Sequence, residues 1–278
     1  MSYLAILVDV PPGNANIQVE LAARLAKAFG AHLTGVYSLP EVAILRSARG
    51  NAFVKREAAE IDQLIKREYE GAAAAKQSFD AVAGKAGVAH DWLTGEGEAA
   101  DIIIHAARLQ DLAVVGQGEE ASDLLWGPAV QVALSCHPVL IVPRSWRSPE
   151  FGRRVLVAWN GSIQASTAVR KSLPLLRRAE HVTLLLSDSR SAYPANLRMT
   201  PLDLSAYLRH QGIEALGKEA DFPDSNAGEA ILRHAREDDC DLIVMGAYGR
   251  SRFHEWVLGG ATRHVLEHMT VPVFMAHQ

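Results

Sequence analysis

The sequence repeats itself, and that repetition limits what the chain can fold into more than any single motif does. Ile6-Leu7-Val8 is matched by Val155-Leu156-Val157. Each is a short β-rich run followed by a turn, Pro11-Pro12-Gly13 or Asn160-Gly161-Ser162, and then an Ala-rich helical stretch. Residues 31–36 stand opposite residues 181–186 as a second strand in each copy. Gly97-Glu98-Ala99 through Arg108 resembles Gly228-Glu229-Ala230 through Arg236, and both lead into apolar strands at 111–116 and 241–246. Each copy closes on a Pro-led apolar run, from Pro138 to Val142 and from Pro272 to Met275.

Short apolar runs alternating with helical stretches of about ten residues or more imply βαβ units and a parallel sheet covered on both faces. The expected fold is therefore α/β: two tandem, doubly wound, Rossmann-like parallel-sheet domains. The polar, Pro- and Gly-containing stretch 145–152 places the boundary between residues 1–148 and 149–278. Residues 57–79, with Ile61, Leu64 and Ile65 at helical spacing, predict a long amphipathic helix whose charges lie on its solvated face. The corresponding stretch 189–207, with Pro194 and Pro201, predicts a loop.

Composition removes several function classes. Lys plus Arg total 28 against 32 Asp plus Glu, a net charge of −4, so the chain lacks the basic surface that nucleic acid requires. Two cysteines, Cys136 and Cys240, do not make a disulfide framework and read as a reducing setting. The apolar run from Tyr3 to Val10 is interrupted by Asp9 and far shorter than the ~20 residues of a membrane span, and no signal-peptide pattern is present. A cytoplasmic protein without membrane partners is expected.

The chemistry concentrates after Met245, where Gly246-Ala247-Tyr248-Gly249 is followed by nine residues and then Gly259-Gly260-Ala261-Thr262-Arg263, which opens a helix running to Met269. Glycines allow close backbone approach to a ligand, and free N–H groups at a helix start favour an anion such as phosphate. The alternative reading is a vestigial loop whose glycines serve tight packing alone. A site there would lie beyond the carboxyl ends of the strands, beside Trp159-Asn160-Gly161-Ser162.

The spacing Gly246-x2-Gly249-x9-Gly259, set between a Val-rich strand and a helix with a Pro-led last strand, resembles the nucleotide-binding signature of the universal stress protein family. The similarity runs along nearly the whole chain as two tandem copies. It implies the adenine nucleotide alpha hydrolase-like variant of the Rossmann architecture. It also implies an adenine nucleotide, ATP or another, accompanied by Mg, as cofactor of the second copy. The implied nucleotide-binding residues are Ala158, Trp159 and Asn160 after the first strand and Ser187 after the second. Met245, Gly246, Tyr248, Gly249 and Arg250 follow in the loop, and Gly259, Gly260, Ala261, Thr262 and Arg263 at the helix start. In that family an Asp ending the first strand meets the adenine, the loop glycines hold ribose and phosphates, and a Ser or Thr follows the last glycine. This chain departs twice, with Asn160 at the Asp position and Gly260 at the Ser/Thr position. Asn160 still both donates and accepts, Thr262 still offers a hydroxyl, and Arg263 adds a positive charge near any phosphate.

The first copy departs further. Pro11 stands where Asn160 does, and the loop from Gly116 reaches Gly127 after 11 positions, against 13 from Gly246 to Gly259, carrying Glu119 and Glu120 on the way. An acidic loop repels phosphate. Gly116-x-Gly118-x2-Ala121 matches a dinucleotide fingerprint in letters only, since it follows a late strand. A degenerate copy kept for its fold is the expected reading.

His264 and His268 are four apart on one helix and could share a metal with His254 or Glu267, but helix-end histidines are commoner and no metal site is assigned. His105 and His234 occupy equivalent places in the two copies, which favours a shared packing role. Arg250 and Arg252 read equally as phosphate contacts or as a solvated loop, and neither cysteine has a neighbour in sequence that would activate it. No nucleophile elbow, catalytic triad or Walker loop is present, so no catalytic residue is assigned and any activity would be at most a weak ATPase. Three functions remain open: a nucleotide-binding stress sensor or regulator, a slow ATP hydrolase or nucleotidyl-transfer enzyme, and a nucleotide-free interaction scaffold. The closing strands, Val139 to Val142 and Val271 to Met275, are apolar edges that invite pairing. They predict an intramolecular pseudo-dimer, with a homodimer as the next level of assembly.

Overall fold

In a computed structural model the apolar runs become strands and the Ala-rich stretches helices; residues 2–12, 17–49, 58–118, 127–135, 137–186, 203–219, 227–247 and 260–277 are described. The chain divides into two units, Ser2–Gly116 and Gln117–Gln278. The first contains β1 (Ala5–Asp9), α1 (Ile17–Phe29), β2 (His32–Leu39), α2 (Pro40–Arg49), α3 (Ala58–Ala86), β3 (His90–Glu96), α4 (Ala99–Ala107) and β4 (Leu112–Gly116). Its strands are parallel in the order β3-β2-β1-β4. Ile6, Leu7, Val8, Leu112 and Val114 are fully buried, as expected of central parallel strands covered on both faces.

The long helix predicted from residue 57 is α3, and it runs past Phe79 to Ala86. Ile61, Ala72, Ala75, Phe79 and Ala83 form its buried face. Gly87, at φ +71°, ends it in the left-handed conformation that glycine adopts without a Cβ penalty.

The second unit contains α5 (Pro128–Leu134), β5 (Val139–Val142), β6 (Arg154–Trp159), α6 (Ile163–Leu176), β7 (His181–Leu186), α7 (Leu204–His210), β8 (Leu216–Glu219), α8 (Ala227–Glu237), β9 (Leu242–Gly246), α9 (Gly260–His268) and β10 (Val273–Ala276). Its strand order is β5-β10-β9-β6-β7-β8, parallel except for β5, which runs antiparallel to β10. Val273 stands opposite Ile141, and Met275 opposite Val139.

Two features add to what the sequence suggests. The compact division falls after Gly116, because β5, the last strand of the first sequence copy, is hydrogen-bonded to β10 and lies with residues 117–278, while 148/149 remains the expected boundary between the sequence copies. The loop expected over 189–207 gives way to helix by Leu204, where the Asp203 carboxylate accepts the Ala206 N–H at 2.9 Å and caps α7. Residues 187–202 lie outside the described residues.

The duplication is visible in one repeated device. Asp111 accepts the backbone N–H groups of Leu4 and Ala5 at 2.7 and 3.1 Å, and Asp241 accepts those of Arg153 and Arg154, each at 3.1 Å. Each carboxylate thus ties the start of β4 or β9 to the start of β1 or β6, satisfying donors that precede the ladder. This explains why an Asp opens both late strands.

Side-chain alternation assigns the faces of the second sheet. Gly246 faces α6, because a Cβ there would lie 2.5 Å from the Ala165 nitrogen and 2.7 Å from the Gln164 carbonyl carbon. Ile243, an odd number of residues away, faces the opposite side, where α8 and α9 pack on one another. There Gly228 admits α9, since its Cβ would lie 2.7 Å from His264 Cβ and 2.9 Å from the Ala261 carbonyl oxygen. Gly260 has open space around it. In urea denaturation Gly246→Ala and Gly228→Ala are each expected to cost about 1–3 kcal/mol by overpacking, whereas Gly260→Ala changes stability little; equal effects at all three positions would refute this assignment of the close contacts.

Candidate functional site

β6 is the pivot of the second unit. The chain leaves it towards β7 on one side and later returns to β9 on the other, which opens a crevice at the carboxyl ends of β6 and β9. The register sets Ala158 directly beside Met245, so the ends of the two strands lie side by side. Met245 and Trp159 are buried, and Ala158 and Asn160 are half-buried.

The turn leaving β6 is built by its own side chains. Asn160 Oδ1 accepts the Ser162 N–H at 3.1 Å, Gly161 adopts φ +73°, and Ser162 Oγ accepts the Ala165 N–H at 3.1 Å to cap α6. Asn160 therefore spends its oxygen on the turn, and its Nδ2 amide is the part left for a ligand. Gly246, read from sequence as a point of ligand approach, is in the structure a point of close helix approach.

Helix α9 brings its first turn towards the same end of the sheet. His268, at its last turn, shares a cavity wall with Ile243 near the start of β9, and a nine-residue helix is about 13 Å long. Its first-turn N–H groups point towards its start, the end of a helix that favours an anion. Thr262 is buried, and Arg263 pairs with Glu267 at 2.7 Å along the helix, which reduces the charge expected for a phosphate. Ser187, Tyr248, Gly249, Arg250 and Gly259 lie outside the described residues, as do Cys136, His254 and Arg252.

His264 and His268 stack with ring centroids 4.4 Å apart, and His268 Nδ1 lies 3.0 Å from the His264 carbonyl. No group of three metal-ligating side chains occurs among the described residues. Cys240 is buried, and burial pushes its thiol up to about 11, far from a reactive thiolate at neutral pH. None of the described helices is long and apolar enough to cross a membrane.

The model of the universal stress protein family matches residues 152–277, the stretch that contains this crevice. Residues 152–277 form a universal stress protein domain. A 55-residue segment is 38% identical to the universal stress protein Slr1230 of Synechocystis sp., covering 20% of this chain and 19% of that protein. The fold is shared along the whole chain with a universal stress protein from Archaeoglobus fulgidus, at TM-score 0.69 and 18% identity over 98% of each chain. A functionally unknown protein from Pseudomonas aeruginosa is also similar, at TM-score 0.57 and 13% identity, covering 98% of this chain and 92% of that one.

In the first unit, sequence reasoning passed over Asp9. It ends β1, beside Val36 of β2, and burial pushes its carboxyl up to about 7 although part of the residue reaches solvent. The cue was an acid inside an otherwise apolar strand. A raised folded value means that stability falls as pH rises from about 4, where the unfolded chain ionises, to about 7, and is level above that. Asp9→Asn is expected to melt higher than the parent at pH 8 and to lose most of that advantage at pH 4, as read by thermal unfolding; parallel melting curves across the range would show that Asp9 is ionised in the native state.

Proposed function

We propose that residues 149–278 bind an adenine nucleotide, ATP, ADP or AMP, in the crevice at the ends of β6 and β9, and that the protein acts as a stress sensor or regulator through binding. The observation that carries this reading is the convergence of Asn160 and Met245 at the point where the chain reverses across the sheet, at the end towards which helix α9 starts. Family membership of residues 152–277 points the same way.

The described residues suit a neutral base and an anionic tail. Asn160 Nδ2 is a donor for a ring nitrogen of the base, while Trp159 and Met245 supply apolar surface. With Arg263 committed to Glu267, phosphate recognition falls to backbone N–H groups, to loop residues 248–259 and to a Mg ion carried by the nucleotide. Localisation in the cytoplasm, where nucleotide is available, belongs to the same proposal. So does an intramolecular pseudo-dimer of the two copies, supported by the antiparallel pairing of β5 with β10.

Calorimetric titration of the full chain with ATP, ADP and AMP is expected to show one site that Gly249→Asp eliminates. Asn160→Asp keeps an acceptor for the Ser162 N–H and presents a carboxylate to the adenine amine, so it should raise the preference for ATP over GTP. Absence of binding at millimolar nucleotide would refute the proposal, and steady phosphate release lost in Gly259→Asp would replace the sensor by a hydrolase.

A further inference from the structure

A second cavity, of about 740 Å³, lies at the other end of the second unit's sheet, between the segment around Trp146 and helices α8 and α9. Arg154 at the start of β6, Ile243 near the start of β9 and Val271 just before β10 place it away from the carboxyl-end crevice. Its floor is apolar, formed by Leu232, Ala235, Ile243 and Val271, with the buried Trp146 ring packed edge-on against Phe151 at 6.4 Å. The volume is that of a small-molecule site.

Three guanidinium groups line the cavity, and each is held by neutral carbonyl oxygens. Arg147 donates to the Arg144 and Trp146 carbonyls at 2.5 and 2.6 Å, Arg154 Nε to Asp238 at 2.9 Å, and Arg236 Nε to Leu232 at 3.3 Å. Among the described residues, no carboxylate lies within ion-pair distance of any of the three. Two of the lining acids are already engaged: Glu150 pairs with Arg153, and Asp241 receives the backbone N–H groups of Arg153 and Arg154. Asp241 keeps its charge, and with the exposed Glu229 and Asp239 it equals the three guanidiniums in number, so anion recognition here rests on the direction of the guanidinium N–H donors rather than on an excess of positive charge. Carbonyl contacts fix each guanidinium while leaving N–H donors for an incoming group, and a guanidinium fork matches the oxygens of a phosphate or carboxylate.

We infer that this cavity binds an amphipathic organic anion, with a phosphate or carboxylate head at Arg147, Arg154 and Arg236 and an apolar body on Leu232, Ala235 and Ile243. The site is distinct from the nucleotide crevice and does not depend on it.

The test is calorimetric titration of the full chain with octyl phosphate and with octanoate, both below their micellar concentrations, against octanol as the uncharged control. At least one anion should bind more tightly than octanol, and Arg154→Gln and Arg236→Gln should each weaken it by roughly tenfold, the loss expected for a charge-assisted hydrogen bond. Circular dichroism of these variants should match the parent, and saturating ATP should leave the affinity unchanged. Anion binding no tighter than that of octanol, insensitivity to both substitutions, or displacement by ATP would each overturn the assignment.

Discussion

Helix α6 approaches the end of β9 so closely that a single added carbon on Gly246 would fall 2.5 Å from its backbone nitrogen at Ala165, and the arrangement of the second unit's crevice follows from that contact. Since α6 begins at Ile163, fixing Ala165 also fixes the Ser162 cap and the Asn160 turn immediately upstream. The parallel register that sets Ala158 beside Met245 then carries Asn160 to the mouth of the crevice. Gly246 thus acts on the site indirectly, by admitting a helix whose start shapes the turn.

The two copies show which parts of a duplicated unit are constrained by the sheet and which are released. The carboxylate clamp is kept in both, as Asp111 and Asp241, because backbone donors at the start of β1 and β6 need an acceptor in either case. Gly116 and Gly246 are also both kept, but a Cβ on Gly116 would meet the Gln18 side chain at 3.1 Å, where a flexible neighbour has room to move. The polar group of the turn has gone from the first copy, where Pro11 replaces it and Asp9, two residues earlier at the end of β1, is half-buried. Gln117, next to the first copy's late strand, is engaged in structure: its N–H reaches the Val142 carbonyl at 2.8 Å, and its Nε2 reaches the Leu266 carbonyl at 2.7 Å.

Arginine placement separates the two ends of the second unit. Arg263 is neutralised by Glu267 near the crevice, whereas Arg147, Arg154 and Arg236 rest on carbonyls around the other cavity. A guanidinium held by a carbonyl keeps its full charge and gains a fixed direction. Among the described residues, these three guanidiniums away from the crevice are free of a carboxylate partner, whereas Arg263 has one.

The strands, the parallel α/β class, the long helix α3 and the closing pair β5 and β10 were legible in the sequence, because each rests on local periodicity or on a repeated pattern that survives without knowledge of its neighbours. The crevice residues Ala158, Asn160, Met245 and Gly246 were legible for the same reason, as the ends of recognisable strands. What each does there was settled by the tertiary structure. Only packing shows that Gly246 faces a helix, that the Asn160 oxygen is spent on a turn, and that Arg263 meets Glu267. The unit boundary at Gly116, the enclosure of Asp9 and the second cavity were likewise decided by contacts between residues far apart in the chain. Sequence determined which segments become strands and helices, since that depends on neighbours a few residues away, while the tertiary fold decided which polar groups are already satisfied and which remain available to a ligand.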